Sequence, residues 1–305
     1  MGRDGGEVSR RENRAAFLFL SPWLIGFAVF TAWPLIYSGY LSLTDYDVIN
    51  SASFVGFDNY VELFSDPKIA LALTNTLLFT AVQVPLYIVV SLALALLLAR
   101  AGRASGFFRT VFFLPKMTPP VAVGILFLLL FNGQSGLINT GLGWVGVDGP
   151  SWTTDPAWVK PGLIIMSLWT VGSSVLILLA ALRGVPEELY EAARLDGAGH
   201  WRQFLSVTLP MISPAVFFIV IVNTIAGLQT FDEAYTAFFG AGNTTYGNDA
   251  ALFYVIYLFQ QAFQFLNMGY ASAMAWVLFV VIMIITAIQA IVSRRLVHYE
   301  GGASR

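Results

Sequence analysis

Histidine occurs only at His200 and His298 in the 305 residues, and cysteine is absent. There is thus no thiolate nucleophile or metal ligand, and no imidazole cluster to hold zinc or relay protons. The chain also lacks a Gly-x-x-x-x-Gly-Lys-Ser/Thr loop for cradling nucleotide phosphates. We expect no catalytic residue, no metal ligand and no cofactor bound by this chain. The remaining chemistry is hydrogen bonding from within strongly apolar stretches. Asn223, Gly227 and Thr230 recur at i, i+4 and i+7, so they share one helix face, and Trp169 and Ser173 stand at i, i+4. In hydrocarbon such groups turn toward a cavity or another helix, because facing lipid is costly. These five are candidates for the wall of a solute path, with interhelical packing and hydrogen bonding as the other role open to each. Asp232 and Glu233 read as solvated at a membrane interface, a proton relay being the alternative.

The positioning elements follow from composition. Hydrophobic residues make up 57% of the chain and charged residues 11%, against about a quarter charged in soluble domains. The apolar residues fall in six blocks, at 15–43, 71–99, 111–131, 161–182, 212–234 and 269–293. Each is long enough for a helix to cross about 30 Å of hydrocarbon. With the N-terminus inside, Arg3, Arg10, Arg11, Arg14, Arg100, Arg103, Arg109, Arg183, Arg194, Arg202, Arg294, Arg295 and Arg305 are internal. The outer loops then hold only Lys68 and Lys160, with Lys116 at the inner end of the third helix. That bias sets both termini inside. The first block is too long for a signal-peptide core and is expected to stay as a span. Residues 44–70 read as an outer loop with a short interfacial helix stopped by Pro67. The Phe- and Tyr-rich stretch 251–266 is too short to span and reads as a helix at the outer interface or tucked partly inside. Pro85, Pro119 and Pro120 are expected to bend helices around a cavity.

The internal loop between the fourth and fifth blocks has its own pattern. Pro186 suits a first helical position, and Glu187 and Glu188 suit the first turn of a helix. Leu189, Ala192, Ala193 and Leu195 form an apolar side before Gly197 and Gly199 end the helix. A second amphipathic helix is expected from about Trp201, with Phe204, Leu205 and Val207 near one face and Pro210 closing it. Small residues at Ala192, Ala193 and Gly197 permit close approach, and Glu191 and Arg194 offer charge to fix register. The loop reads as a docking element or as a solvated interfacial hairpin.

The same residues resemble a known signature. Glu191-Ala192-Ala193, Gly197 and Val207-Thr208-Leu209-Pro210 match the Glu-Ala-Ala loop of binding-protein-dependent ABC importer permeases, with Val207 where the family often has Ile. Phe54-Val55-Gly56-Phe57-Asp58-Asn59-Tyr60, residues 108–115, 228–232 and 269–273, and the C-terminal 294–300 are similar to the carbohydrate type, which transports maltose, other oligosaccharides or glycerol phosphate. The C-terminal 294–300 resembles that of the first of its two permeases. Phe239-Gly240-Ala241-Gly242-Asn243 departs from the family's usual Gly-Gly-Pro.

The resemblance implies an all-α, six-helix type I importer fold, with a tail at 1–14, a transmembrane domain at 15–293 and a tail at 294–305. Its coupling loop, 183–211, would engage a separate ATPase through Glu191, Ala192, Ala193, Gly197, Val207, Leu209 and Pro210. The partners implied are a second related permease, two ATPase subunits and an extracytoplasmic solute-binding protein, in a bacterial or archaeal cytoplasmic membrane. ATP would be used by the partner, and a carbohydrate would pass by alternating access near the fourth and fifth helices. An ion-gradient-driven secondary transporter is the alternative, although no span carries an ionisable group at its middle.

Overall fold

The structure, a computed structural model, describes residues 4–239 and 249–296. The Gly240–Asn243 part of the departing loop and the last residues of the C-terminal motif lie outside these. In chain order the helices are α1 (Asp4–Phe27), α2 (Trp33–Leu41), α3 (Asp58–Ser65), α4 (Pro67–Arg100) and α5 (Ser105–Phe113). Next come α6 (Pro120–Leu130), α7 (Leu137–Trp144), α8 (Pro156–Trp169), α9 (Gly172–Arg183) and α10 (Glu187–Leu195). The series ends with α11 (His200–Gln203), α12 (Leu209–Leu228), α13 (Asp232–Phe238), α14 (Tyr254–Phe259) and α15 (Met268–Leu296).

Four helical rods are long and apolar enough to cross a membrane: Ala16–Leu41, Pro67–Arg100, His200–Phe238 and Met268–Arg294. Two bent pairs supply the rest. Gly102–Met117 meets Pro120–Leu130 at 97°, and Pro156–Trp169 meets Gly172–Arg183 at 53°, giving six crossings when each pair counts as one. The third block is therefore an elbow rather than a straight helix. Pro119 and Pro120 lack N–H groups and exclude the helical conformation from the residue before them, so the chain turns there.

The chain forms two compact units. One comprises the residues up to Asp66 with Leu258–Leu278. In it α1 and α2 run on through a π-helical turn at Ala28–Ala32, where the Trp33 amide reaches back to the Ala28 carbonyl. Beyond α2, strands β1 (Thr44–Asp45) and β2 (Ser53–Phe54) pair antiparallel, with Thr44 opposite Phe54. Amide donation from Asn50 (2.7 Å) and Ile49 (3.1 Å) to Asp47 closes the turn between them, and these bonds hold that carboxyl below the usual carboxylate range. The Gly269 amide donates to the Tyr46 carbonyl and the Trp276 indole to Ser38 Oγ, joining the start of α15 to this unit.

The other unit comprises Pro67–Tyr257 and the residues from Phe279 onward. Its central helix is α4, whose 34 residues rise about 50 Å, so it must tilt or project from the hydrocarbon. It packs against α8, α9 and α12 through Tyr87, Leu98, Val175, Leu178 and Ile219. α13 lies on α6. The aromatic stretch 251–257 takes the tucked alternative: Phe253 and Tyr254 are both fully buried. Asn75 Nδ2 on α4 donates to the Asp249 and Leu252 carbonyls (2.7 and 3.0 Å), and Thr76 Oγ1 accepts from the Tyr254 amide (2.9 Å). These two side chains satisfy backbone groups that an irregular segment in a membrane would otherwise leave unpaired.

Candidate functional site

A cleft of about 210 Å³ opens in the second unit. Three helix breaks converge on it. The elbow between α5 and α6 contributes Lys116, the bend between α8 and α9 contributes Thr170, and the break between α12 and α13 contributes Gln229, Thr230 and Phe231. A break frees backbone polar groups, and in a membrane these are tolerated only against protein or a wet cavity. The Tyr87 hydroxyl meets one such group, donating to the Thr170 carbonyl at 3.2 Å.

Asn223, Gly227 and Thr230 line the cleft together, as their i, i+4, i+7 spacing anticipates. Gly227 also serves packing: a Cβ there would stand 3.0 Å from both Thr80 Cγ2 and Oγ1 on α4. Trp169 and Ser173 are not on the cleft wall, which takes Ser167 and Thr170 from the same region. The 53° bend at Thr170–Val171 falls between them, so their i, i+4 relation does not place them on one face. Trp169 instead stands 46% exposed.

Sequence reasoning missed the contribution of α4. Phe79, Gln83 and Tyr87 recur at four-residue intervals and line the cleft from that helix, and the same face rule applied to the second block would have found them. Gln83 is 6% exposed, and its buried Oε1 has no hydrogen-bond partner among the described residues. One expectation about charge is corrected here. Lys116 lies at the elbow on the cleft wall rather than at an inner helix end, because the block it belongs to is folded. Asp232 and Glu233 open α13 and face the same cleft. The site offers hydroxyl, amide, carboxylate, ammonium and aromatic groups, a set able to hold a polyhydroxylated solute by its edges and faces.

The loop at 183–211 forms a hairpin. α10 ends at Gly197, whose φ is +75°. The Ala198 amide donates to the Ala193 carbonyl (2.9 Å) and the Gly197 amide to the Arg194 carbonyl (3.0 Å), the paired bonds of a Schellman cap. No atom lies within 4 Å of a Cβ built on Gly197, so its backbone conformation, not close approach, demands glycine. Pro186 sits just outside the helix as its N-cap. Arg194 pairs within the hairpin, with Glu187 at 2.7 Å, while Glu191, Ala192 and Gly197 are exposed and Ala193 half-buried. Leu195 is 90% and Trp201 73% exposed, so these two apolar side chains point outward.

The second helix departs from expectation, since Pro210 does not close it. α11 passes through a π-helical turn, Phe204–Thr208, directly into α12, with the Leu209 amide donating to the Phe204 carbonyl. The widened turn removes the need for a proline N–H and relieves the ring's clash with the preceding turn. The same device precedes Pro34, where the Trp33 amide reaches five residues back. Leu205, expected near one face with Phe204 and Val207, is 47% exposed while those two are half-buried, because the extra residue in the turn rotates the register. The Tyr190 hydroxyl meets Thr208 Oγ1 at 2.9 Å, tying α10 to the foot of α12, and Val207, Leu209 and Pro210 are half-buried there.

Comparison with known proteins places this arrangement. A probable ABC transporter permease protein, YesP of Bacillus subtilis (strain 168), is 40% identical over 95% of this chain and 94% of its own. The lactose transport system permease protein LacF of Rhizobium radiobacter is 35% identical over 91% of this chain and 93% of its own. The crystal structure of a bacterial ABC transporter that imports the acidic polysaccharide alginate contains a chain of the same fold. It superposes with a TM-score of 0.83 at 23% identity, covering 97% of this chain and all of that one. Residues 87–298 match the profile of the binding-protein-dependent transport system inner membrane component, and the chain belongs to that family.

Proposed function

We propose that this chain is one of two permeases in an ABC importer that carries a carbohydrate across the cytoplasmic membrane. The observation that carries the proposal is the path of one helical rod. Residues 200–238 run from the docking hairpin to the cleft, so a push on α10, passed through Tyr190 and Thr208, is delivered to Asn223, Gly227 and Thr230. In this reading an ATPase receives Glu191, Ala192, Ala193 and the outward Leu195 and Trp201. Its closure on ATP moves the hairpin and opens the cleft outward, and release of the nucleotide products returns it. A second related permease completes the path, two ATPase subunits supply ATP hydrolysis, and an extracytoplasmic solute-binding protein delivers the cargo. The hydroxyl and amide lining of the cleft supports a saccharide, and a lactose permease among the relatives points the same way.

One observation favours a second reading. Lys116, Asp232 and Glu233 line the cleft, and ionisable groups on a solute path are what a gradient-driven carrier requires. Affinity purification from gently solubilised membranes, with uptake measured after ATP depletion and after an ionophore, separates the two. An ATPase and a second permease should be recovered with the chain, and uptake should cease on ATP depletion. Recovery of the chain alone, with uptake stopped only by the ionophore, would replace the importer with the carrier.

A further inference from the structure

Helix α3 presents a face that nothing in its unit covers. Phe57 at its N-cap, Val61 and Phe64 stand at i, i+4 and i+7 and are 72%, 68% and 80% exposed, and Phe54 on β2 is 70% exposed. The helix cannot roll to hide them. Leu63 and Asn59 on its other side are 1% and 8% exposed. Asn59 Nδ2 donates to the carbonyls of Ser42 (3.0 Å) and Thr44 (2.9 Å), and the Tyr60 hydroxyl donates to Ser42 Oγ (2.9 Å). The Val55 and Gly56 amides both donate to the Leu43 carbonyl. The Phe-Val-Gly-Phe-Asp-Asn-Tyr stretch is therefore a rigid bracket rather than a loose loop.

The level of that bracket is fixed by the spans it rests on. Ser42 follows directly on the span Ala16–Leu41. Its last turns carry Trp33, Tyr37 and Tyr40, 64%, 46% and 49% exposed and stacked in sequence at 6.4 and 6.2 Å. Exposed Trp and Tyr on a span mark the headgroup zone, and two residues of helix rise only about 3 Å. The first turn of α15, itself a span, is bound to the same bracket. The Tyr270 hydroxyl donates to Asp66 Oδ2 at 3.0 Å and the Gly269 amide to the Tyr46 carbonyl at 3.1 Å.

We propose that α3 is a lipid-contacting anchor that lays Phe57, Val61 and Phe64 into the headgroup–acyl boundary of the outer leaflet. The apolar stripe continues the lipid-facing surface of the span below it, and Asp58 and Glu62, also exposed, stay in water. α3 has no Lys or Arg, so the attachment is apolar and does not depend on anionic lipid. It holds the outer ends of the first and last spans at one depth while the rest of the permease moves.

The absence of native cysteine makes the test direct. Single cysteines at Phe57, Val61 and Phe64, and at Asp58 and Glu62, would carry nitroxide labels in the full transporter reconstituted in phosphatidylcholine nanodiscs. Collision with oxygen, which partitions into lipid, should exceed collision with a water-soluble nickel chelate several-fold at 57, 61 and 64. The ratio should reverse at 58 and 62 and be unchanged by added anionic lipid or salt. Equal chelate access at all five positions overturns the proposal. Access to neither reagent at 57, 61 and 64 would place the face against protein instead. Labels that stay mobile and water-accessible until the solute-binding protein is added would make it a docking face for that protein.

Discussion

Gly197 holds φ at +75° in open space, so any effect of replacing it acts through the backbone. An L residue in that conformation costs about 1–2 kcal/mol, and the strain is relieved by opening the cap that the Ala198 and Gly197 amides make. Gly197→Val is therefore expected to leave membrane insertion and melting temperature nearly unchanged while lowering ATPase recovery and transport several-fold. Gly197→Asn, which tolerates the left-handed region, should restore much of both. Equal loss in the two variants, measured by co-purification and uptake, would mean that side-chain size and not backbone geometry matters. The candidate residues were partly legible at this scale. Asn223 and Gly227 reached the cleft because α12 is regular where they lie, and Thr230 because the break follows directly on that helix. Gln83 was passed over among apolar neighbours, and Lys116 was assigned to a helix end although Pro119 and Pro120 marked the bend beside it.

At the scale of elements, prolines do opposite things according to what precedes them. Pro119 and Pro120 turn the chain by 97°, whereas Pro34 and Pro210 are absorbed by π-helical turns and their rods continue. Composition does not distinguish the two outcomes, since each proline sits in apolar sequence. The doubled proline was the readable sign of a break, and the extra backbone residue of a π turn left none. Continuity through Pro210 is what joins hairpin to rod, and the Tyr190–Thr208 contact braces the junction. Removing that hydroxyl leaves Thr208, 5% exposed, without its partner, at a cost of about 1–3 kcal/mol. Tyr190→Phe is thus expected to keep ATPase binding and ATP hydrolysis but reduce solute moved per ATP. Reconstituted vesicles in which both rates are followed give the ratio. An unchanged ratio would show that force enters the rod by another route.

Across the whole molecule, the chain's spans were the most legible feature, because they rest on a summed quantity. A crossing needs about 20 apolar residues, and the arginines fall in alternate loops whether a block is straight or bent. Folding two blocks into elbows changes the wall of the cleft but leaves six crossings when each bent pair counts as one. The bends themselves come from packing around a cavity, which a hydropathy pattern does not register. Sidedness yields the final expectation. Leu195 and Trp201 are exposed on the hairpin and should face the cytoplasm. In the cysteine-free chain, Leu195→Cys or Trp201→Cys should resist a membrane-impermeant maleimide in intact cells. Each should react in inside-out vesicles stripped of ATPase and be protected when the ATPase is restored. Asp58→Cys, in the loop that the arginine distribution assigns to the outside, should show the reverse access and no protection. Reaction of Leu195→Cys in intact cells would invert the topology, and accessibility unaffected by the ATPase would remove the hairpin from the docking surface.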